Sequence, residues 1–267
     1  MEFYRKCIDE YTKIPTLEQT LWKSKSDLCL VYIEFRDIDI IKTNLHNLCN
    51  VYGGTDASIM IVHSSVNRDR IMNITGEWKN VRYIEMLQHE GSVDDYNKIL
   101  TNFDFWNTFS EFKYVLTNQW DSYLFKKIPE KFFEYDYVGA PCNHFYSIYG
   151  GRVVTVCGAG CKCDRCVSTN GNHPFTYKYF MYDKPKKFMF NGGFSLRKVE
   201  TMKNICKNKP WNGAPEDVYF CLTDIKTPSR EEASEFSVEG LKYNDDVPCG
   251  CHQVWIHQSQ EYVSSLF

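Results

Sequence analysis

The sequence predicts an α/β protein with a mixed, mainly parallel central sheet. Three observations carry that expectation. Short apolar runs rich in strand formers recur through the first half, each run is followed by residues at helical spacing, and the order strand, helix, strand, helix, strand is that of βαβ units. Of the 267 residues 43% are hydrophobic, with 18 Phe, 18 Tyr and 6 Trp, enough apolar surface to offset the entropy of ordering one substantial domain.

The first strand begins at Leu28, in the run Leu-Cys-Leu-Val-Tyr-Ile-Glu-Phe, which is almost continuously apolar, as suits burial on both faces, and it ends at Glu34-Phe-Arg36. Ile38, Ile41, Leu45 and Leu48 then recur at helical spacing over Asp37 to Asn50, before Gly53-Gly54. A second strand falls at Ala57 to His63, a short helix at Val66 to Ile74 and a third strand at Val81 to Met86. Tyr96 to Phe109 predicts one helix, or two short ones broken near Phe103. Tyr114-Val-Leu-Thr predicts another interior strand, whose polar end, Asn118 to Ser122, emerges where function gathers in such sheets. Phe132 to Pro141 is punctuated, more like a peripheral strand and turn than a helix.

From Cys142 to about Lys187 glycines, histidines and cysteines replace periodic segments, which predicts an insertion over 142–187. Ordered structure resumes at Phe188-Met-Phe-Asn-Gly-Gly-Phe-Ser-Leu-Arg197. A helix follows over Lys198 to Lys207, and Glu216-Asp217 opens another. Glu231 to Glu239 is polar and expected to be exposed. The divisions are an N-terminal extension over 1–27, one main domain over 28–256 and a C-terminal tail over 257–267.

Several function classes recede on composition. A net charge of −3 argues against phosphate-backbone binding, and so against a nucleic-acid partner. Mean hydropathy is −0.44 and no apolar stretch approaches the roughly 20 residues of a membrane span. The opening Met-Glu-Phe-Tyr-Arg-Lys-Cys has early charge and no apolar core, so no secretory signal is expected and a cytoplasmic location is the default.

Cys157, Cys161, Cys163 and Cys166 lie within ten residues, interleaved with glycines that let the backbone curl around one centre. Thiolates so spaced suit structural Zn2+, with no open coordination position. His144 or His173 could replace one thiol, and disulfides or free thiols remain open.

Four further segments carry polar chemistry. Asp121 at a strand end could bind a divalent cation, or simply cap a turn. His252 could supply a nitrogen ligand, or be a hydrogen-bonded core histidine. Gly192-Gly193 allows a close backbone approach or a positive φ. Asp217 could be a base or a helix cap. Arg36 or Lys113 could approach phosphate, or form surface salt bridges.

The segments Val31-Tyr-Ile-Glu-Phe-Arg36, Leu45 to Gly54, Gln119-Trp-Asp-Ser122, Tyr135-Asp-Tyr-Val-Gly-Ala-Pro141, Asn191-Gly-Gly-Phe-Ser-Leu-Arg197 and Glu216-Asp-Val-Tyr-Phe220 together resemble a glycosyltransferase-like family of giant viruses, fungi and bacteria. Cys249-Gly-Cys-His252-Gln-Val-Trp255 resembles its closing segment. The resemblance implies a single GT-A-like domain that moves a sugar from a nucleotide diphosphate donor, a UDP-sugar being favoured, to a hydroxyl of a glycan or glycoprotein. It implies donor and acceptor contacts from Glu34, Arg36, Gln119, Asp121, Asn191, Gly192, Gly193 and His252, with Asp217, or secondarily Glu216, as base. GT-A enzymes usually grip Mn2+ or Mg2+ with Asp-x-Asp. Here the triplet is Gln119-Trp120-Asp121, which lacks the first carboxylate, so Asp121 and His252 are the expected ligands. A virus-encoded origin is implied in the same way. The competing expectation is a non-catalytic, zinc-stabilised structural or glycan-binding protein on a decayed transferase fold, with exposed aromatics stacking on sugars.

Overall fold

The computed structural model describes residues 27–53, 55, 57–86, 91–149, 152–157 and 187–266, with backbone alone for 143–149, 152–157 and 187–188. A seven-stranded sheet is the centre. β1 (Leu28–Ile33), β2 (Ser58–His63), β3 (Val81–Glu85), β4 (Tyr114–Asn118), β6 (Tyr137–Tyr149), β7 (Arg152–Cys157) and β8 (Lys187–Lys198) lie in the order β3-β2-β1-β4-β8-β6-β7. β3, β2, β1 and β4 pair in parallel, and β8, β6 and β7 continue the sheet through antiparallel pairings. Five of the seven strands therefore run one way.

β1 has parallel neighbours on both sides and is buried throughout, which is why it reads as an unbroken apolar run. Its side chains alternate between two cores. Cys29, Val31 and Ile33 face α3 (Val93–Leu100), α4 (Phe103–Asn107), α5 (Val199–Asn208) and α6 (Glu216–Cys221), through Leu100, Trp106, Met202 and Phe220. Leu28, Leu30 and Tyr32 face α1 (Ile40–Tyr52) and α2 (Arg68–Thr75), through Ile41, Leu45, Leu48 and Ile71. Each such aliphatic side chain contributes about 1.5–3 kcal/mol by leaving water. The result is three layers, with helices on both faces of the sheet.

A second, three-stranded sheet, β5-β10-β9, is built from β5 (Ser122–Leu124), β10 (Gly250–His252) and β9 (Ser237–Val238). It pairs His252 with Ser122, next to Asp121.

Several expectations change. The break in the predicted Tyr96–Phe109 helix falls at Thr101-Asn102, where the Asn102 side chain caps α4. Phe132–Pro141 is a 3-10 turn (Glu130–Glu134) running into β6, whose Tyr137–Pro141 stretch pairs with β8 alone; pairing with β7 begins only at His144, so the strand is longer than expected and becomes interior beyond that stretch. Gly139 is required because a Cβ there would strike the Asn191 carbonyl. The described part of 142–187 continues β6 and adds β7, extending the main sheet; 158–186 lie outside the described residues. Glu231–Glu239 is not an exposed run, since α7 (Arg230–Phe236) buries Ala233 and Phe236 and leads into buried β9. α8 (Val254–His257) leads into the expected tail, where α9 (Gln260–Ser265) packs Tyr262 and Val263 with Cys251 and Val254. Among the described residues no helix is long and apolar enough to cross a membrane.

Candidate functional site

From β1 the chain passes to β2 on one side, while β4 lies on the other, and the connecting helices take opposite faces of the sheet. This reversal opens a crevice beyond the carboxyl ends of β1 and β4, where ligands bind in open α/β sheets. Glu34 and Arg36 follow β1 and Gln119, Trp120 and Asp121 follow β4, so both expected segments border it.

Glu34 is buried and uses both oxygens locally. Oε1 accepts the backbone N–H groups of Phe35 (2.9 Å) and Arg36 (2.8 Å) and Arg36 Nε–H (2.8 Å), and Oε2 accepts Arg36 Nη2–H (2.7 Å). The guanidinium thus held lies 4.9 Å from the centre of the Trp120 ring. Arg36 Nη1 has no hydrogen-bond partner among the described residues. Lys113 precedes β4, at the opposite end of the strand from the crevice, about 16 Å away at strand rise, and does not join the site.

Two buried amides of α1 fix the segment after β4. Asn44 Nδ2 donates to the Trp120 carbonyl (2.7 Å), and Asn47 both donates to the Leu124 carbonyl (2.8 Å) and accepts its N–H (2.8 Å). Asp121, 3% exposed, receives Gln253 Nε2–H on Oδ2 (2.6 Å), and its carbonyl receives the Gln253 N–H (3.0 Å). Gln253 makes both bonds from a left-handed backbone (φ 46°, ψ 26°), a conformation costly for a side-chain-bearing residue and held here by that double grip.

His252 lies between two carboxylates. Nε2 is 3.2 Å from Asp121 Oδ1 and 3.2 Å from Gln119 Oε1, and Nδ1 is 3.1 Å from Glu239 Oε1. Burial alone would lower its pKa, but Asp121 and Glu239 outweigh that and raise it to about 9, so the ring is a cation at neutral pH when nothing else binds Nε2. Burial pushes the Asp121 carboxyl up, and His252 and Gln253 bring it below the ordinary carboxylate value. Asn191 ties the neighbouring strand in, donating to Glu239 Oε1 (3.3 Å) and accepting the Gly193 N–H (2.7 Å).

The paired glycines are explained by close approach and not by positive φ. A Cβ on Gly193 would overlap His252 Cδ2 and Nε2, and one on Gly192 would overlap Glu216 Oε1. Behind Gly192, fully buried Arg197 donates Nη1–H to Glu216 Oε2 (2.6 Å), Nη2–H to Glu216 Oε1 (2.8 Å) and the Gly192 carbonyl (3.1 Å), and Nε–H to Ser195 Oγ (2.8 Å). Both Glu216 oxygens are therefore committed to Arg197.

Asp217, one residue on, points elsewhere and remains partly open to solvent; its Oδ1 accepts the Val218 N–H (2.7 Å). Burial among dense neighbours, then the Glu216 charge, raise its pKa to about 7. It lies in one electrostatic neighbourhood with Glu239. The Tyr96 hydroxyl, raised by burial and by Glu216, Asp121 and Asp217, sits between the two halves of the site, 3.5 Å from the Gly192 carbonyl.

A divalent cation has a partial frame here. Among the described residues no group of three or more His, Cys, Asp or Glu side chains is placed to hold a metal ion. Asp121 Oδ1 is nonetheless buried without a hydrogen bond, and it converges with His252 Nε2 and the Gln119 amide oxygen. Two oxygens and one imidazole nitrogen suit Mn2+ or Mg2+ chemistry, so the residues fit such an ion. The expected zinc ligands Cys161, Cys163 and Cys166, and the Cys157 side chain, lie outside the described residues, as does His173 and the side chain of His144.

Glu239, Gln253, Tyr96 and Arg197 were not singled out by the sequence. Gln253, adjoining His252, offered a weak signal. Glu239 offered none, as it closes a run of exposed-looking charge.

These features define an α/β protein with a polar crevice at its topological switch point. A family model described as "Protein of unknown function (DUF5672)" matches residues 80–252, well over half of the chain, and the chain belongs to that family. No curated protein matches it. Among solved structures it is similar to "Mannosyltransferase PcManGT from Pyrobaculum calidifontis in complex with GDP-Man and Mn2+", at 12% identity and a TM-score of 0.28, over 46% of this chain and 35% of that chain. The match thus spans about a third of that protein's length.

Proposed function

We propose that this protein is a glycosyltransferase that moves a sugar from a nucleoside diphosphate donor to a hydroxyl of a glycan or glycoprotein, a UDP-sugar being the favoured donor. The observation that carries the reading is the Asp121–His252 pair against Gly193, with Glu216 against Gly192 and, next to Glu216 in the chain, a separate carboxylate, Asp217, whose pKa lies near neutrality.

The donor diphosphate lies beyond β1 and β4, where Arg36 offers Nη1 and its guanidinium is already oriented by Glu34. Asp121 and His252, with the Gln119 carbonyl, are the groups that would hold a divalent cation. Such an ion supplies charge neutralisation at the departing diphosphate. Asn191 and the glycines line the sugar. Asp217 accepts the acceptor hydroxyl proton while the oxygen bonds to the anomeric carbon and the bond to the diphosphate oxygen breaks, which inverts configuration. A base with a pKa near the working pH is well matched to that transfer. Glu216 holds Arg197 and the strand carrying Asn191 in place.

A panel of UDP- and GDP-sugars, with and without Mn2+, tests this by release of nucleoside diphosphate coupled to glycosylated product. Sugar transfer by the wild type is expected. Glycan binding with no nucleotide-sugar turnover would reject the reading in favour of a binding module.

A further inference from the structure

We propose that Glu239 is the positioning residue of the cation site, fixing the tautomer and ring orientation of His252 so that Nε2, and not Nδ1, meets Asp121. The inference rests on the cation-binding part of the proposed function and on no step of sugar transfer.

An imidazole can present either nitrogen, and a neutral ring carries its proton on one of them. The nitrogen that keeps the proton is chosen by its hydrogen-bond partner. Here Glu239 Oε1 lies 3.1 Å from Nδ1 and holds a proton there, while Nε2 is 3.2 Å from Asp121 Oδ1, so that a cation bound beside Asp121 would take the place of the Nε2 proton and not of the Nδ1 proton. A carboxylate behind a ligating histidine is the usual way such a ring is aimed and made more basic.

Glu239 is itself held. Asn191 Nδ2 donates to the same oxygen (3.3 Å), Gln258 Nε2 donates to the Glu239 backbone carbonyl (2.9 Å), and the side chain is 14% exposed. The Cδ2–Nε2 edge of the ring lies against Gly193, where an added Cβ would overlap it. Across the gap the division of labour repeats: Gln253 ties down Asp121 Oδ2, and Oδ1, buried and without a hydrogen bond, is left to face Nε2. Each ligating side chain thus has one atom restrained by a partner and one atom directed inward.

The test uses the full chain without donor or acceptor. Mn2+ is titrated calorimetrically into wild type, Glu239→Gln, Glu239→Asp and His252→Ala, the last reporting any binding elsewhere in the chain. Glu239→Gln is expected to weaken the His252-dependent site about 10–100-fold, and Glu239→Asp to restore part of the loss. In histidine-15N spectra with Mg2+, wild-type His252 is expected to show the Nδ1–H tautomer, and Glu239→Gln to lose it. A purely structural role would lower the melting temperature but leave the tautomer of folded protein unchanged. Should Glu239→Gln not fold, the Glu239→Asp affinity and the wild-type tautomer still decide.

Wild-type affinity in folded Glu239→Gln, an Nε2–H tautomer in the wild type, or no His252-dependent binding of either ion would overturn the proposal. The sugar-transfer reading fails separately, by absence of product.

Discussion

Two arginine–glutamate pairs border the site with the same bidentate chemistry and opposite surroundings. Arg197 and Glu216 are 0% and 4% exposed, and the Arg197 donors are spent on Glu216, Ser195 and the Gly192 carbonyl. Arg36 is 42% exposed over a 3% exposed Glu34, and its Nη1 faces outward from the pair. Burial turns the first pair into framework and leaves the second able to meet a ligand. The contrast teaches that charge pairing by itself assigns no duty; the number of donors left over does.

The framework pair offers the largest expected effect. Glu216→Gln leaves a buried guanidinium without its counter-charge, and breaking such a pair costs about 3–5 kcal/mol. Denaturant unfolding is expected to show that loss, and a variant as stable as the wild type would refute the framework role.

Asp217→Asn separates catalysis from framework one residue further on. Transfer is expected to fall on the order of 10²-fold or more, with the melting temperature at pH 8 no lower than that of the wild type. Because the folded-state pKa of Asp217 is raised, its contribution to stability is present below the unfolded value and is lost as pH rises through about 7. The Asn variant escapes that loss. For the same reason wild-type kcat/KM should climb with pH and level off above about 7; a flat profile, or unaltered turnover in Asp217→Asn, would exclude it as the base.

The smallest effect is expected from the exposed pair. Arg36→Ala should raise the donor KM about tenfold, the worth of one charge-assisted hydrogen bond, and should cost less stability than Glu216→Gln, because the buried Glu34 carboxylate keeps the Phe35 and Arg36 backbone N–H donors. A large stability loss with unchanged KM would reverse the two roles.

The parallel half of the fold was legible because burial on both faces makes a strand such as Leu28–Ile33 uniformly apolar, and because strand ends collect polar residues such as Asp121. The second half was harder. β6 carries Gly139 and Pro141 where another strand crowds it, so its local signal imitates a turn. Asn191, Asp217, Glu239 and His252 come from four separated segments. Glu239 becomes meaningful only once β9 and β10 pair. Arg197 looks like an ordinary strand-end charge until β4 and β6 cover it from both sides.

Asn47 binds both backbone groups of Leu124 and Asn44 binds the carbonyl beside Asp121, so the first helix and the rung bearing that carboxylate are coupled as a lever and its load. Tilting the helix would drag the aspartate with it, and the crevice inherits its shape from an element that lies outside it.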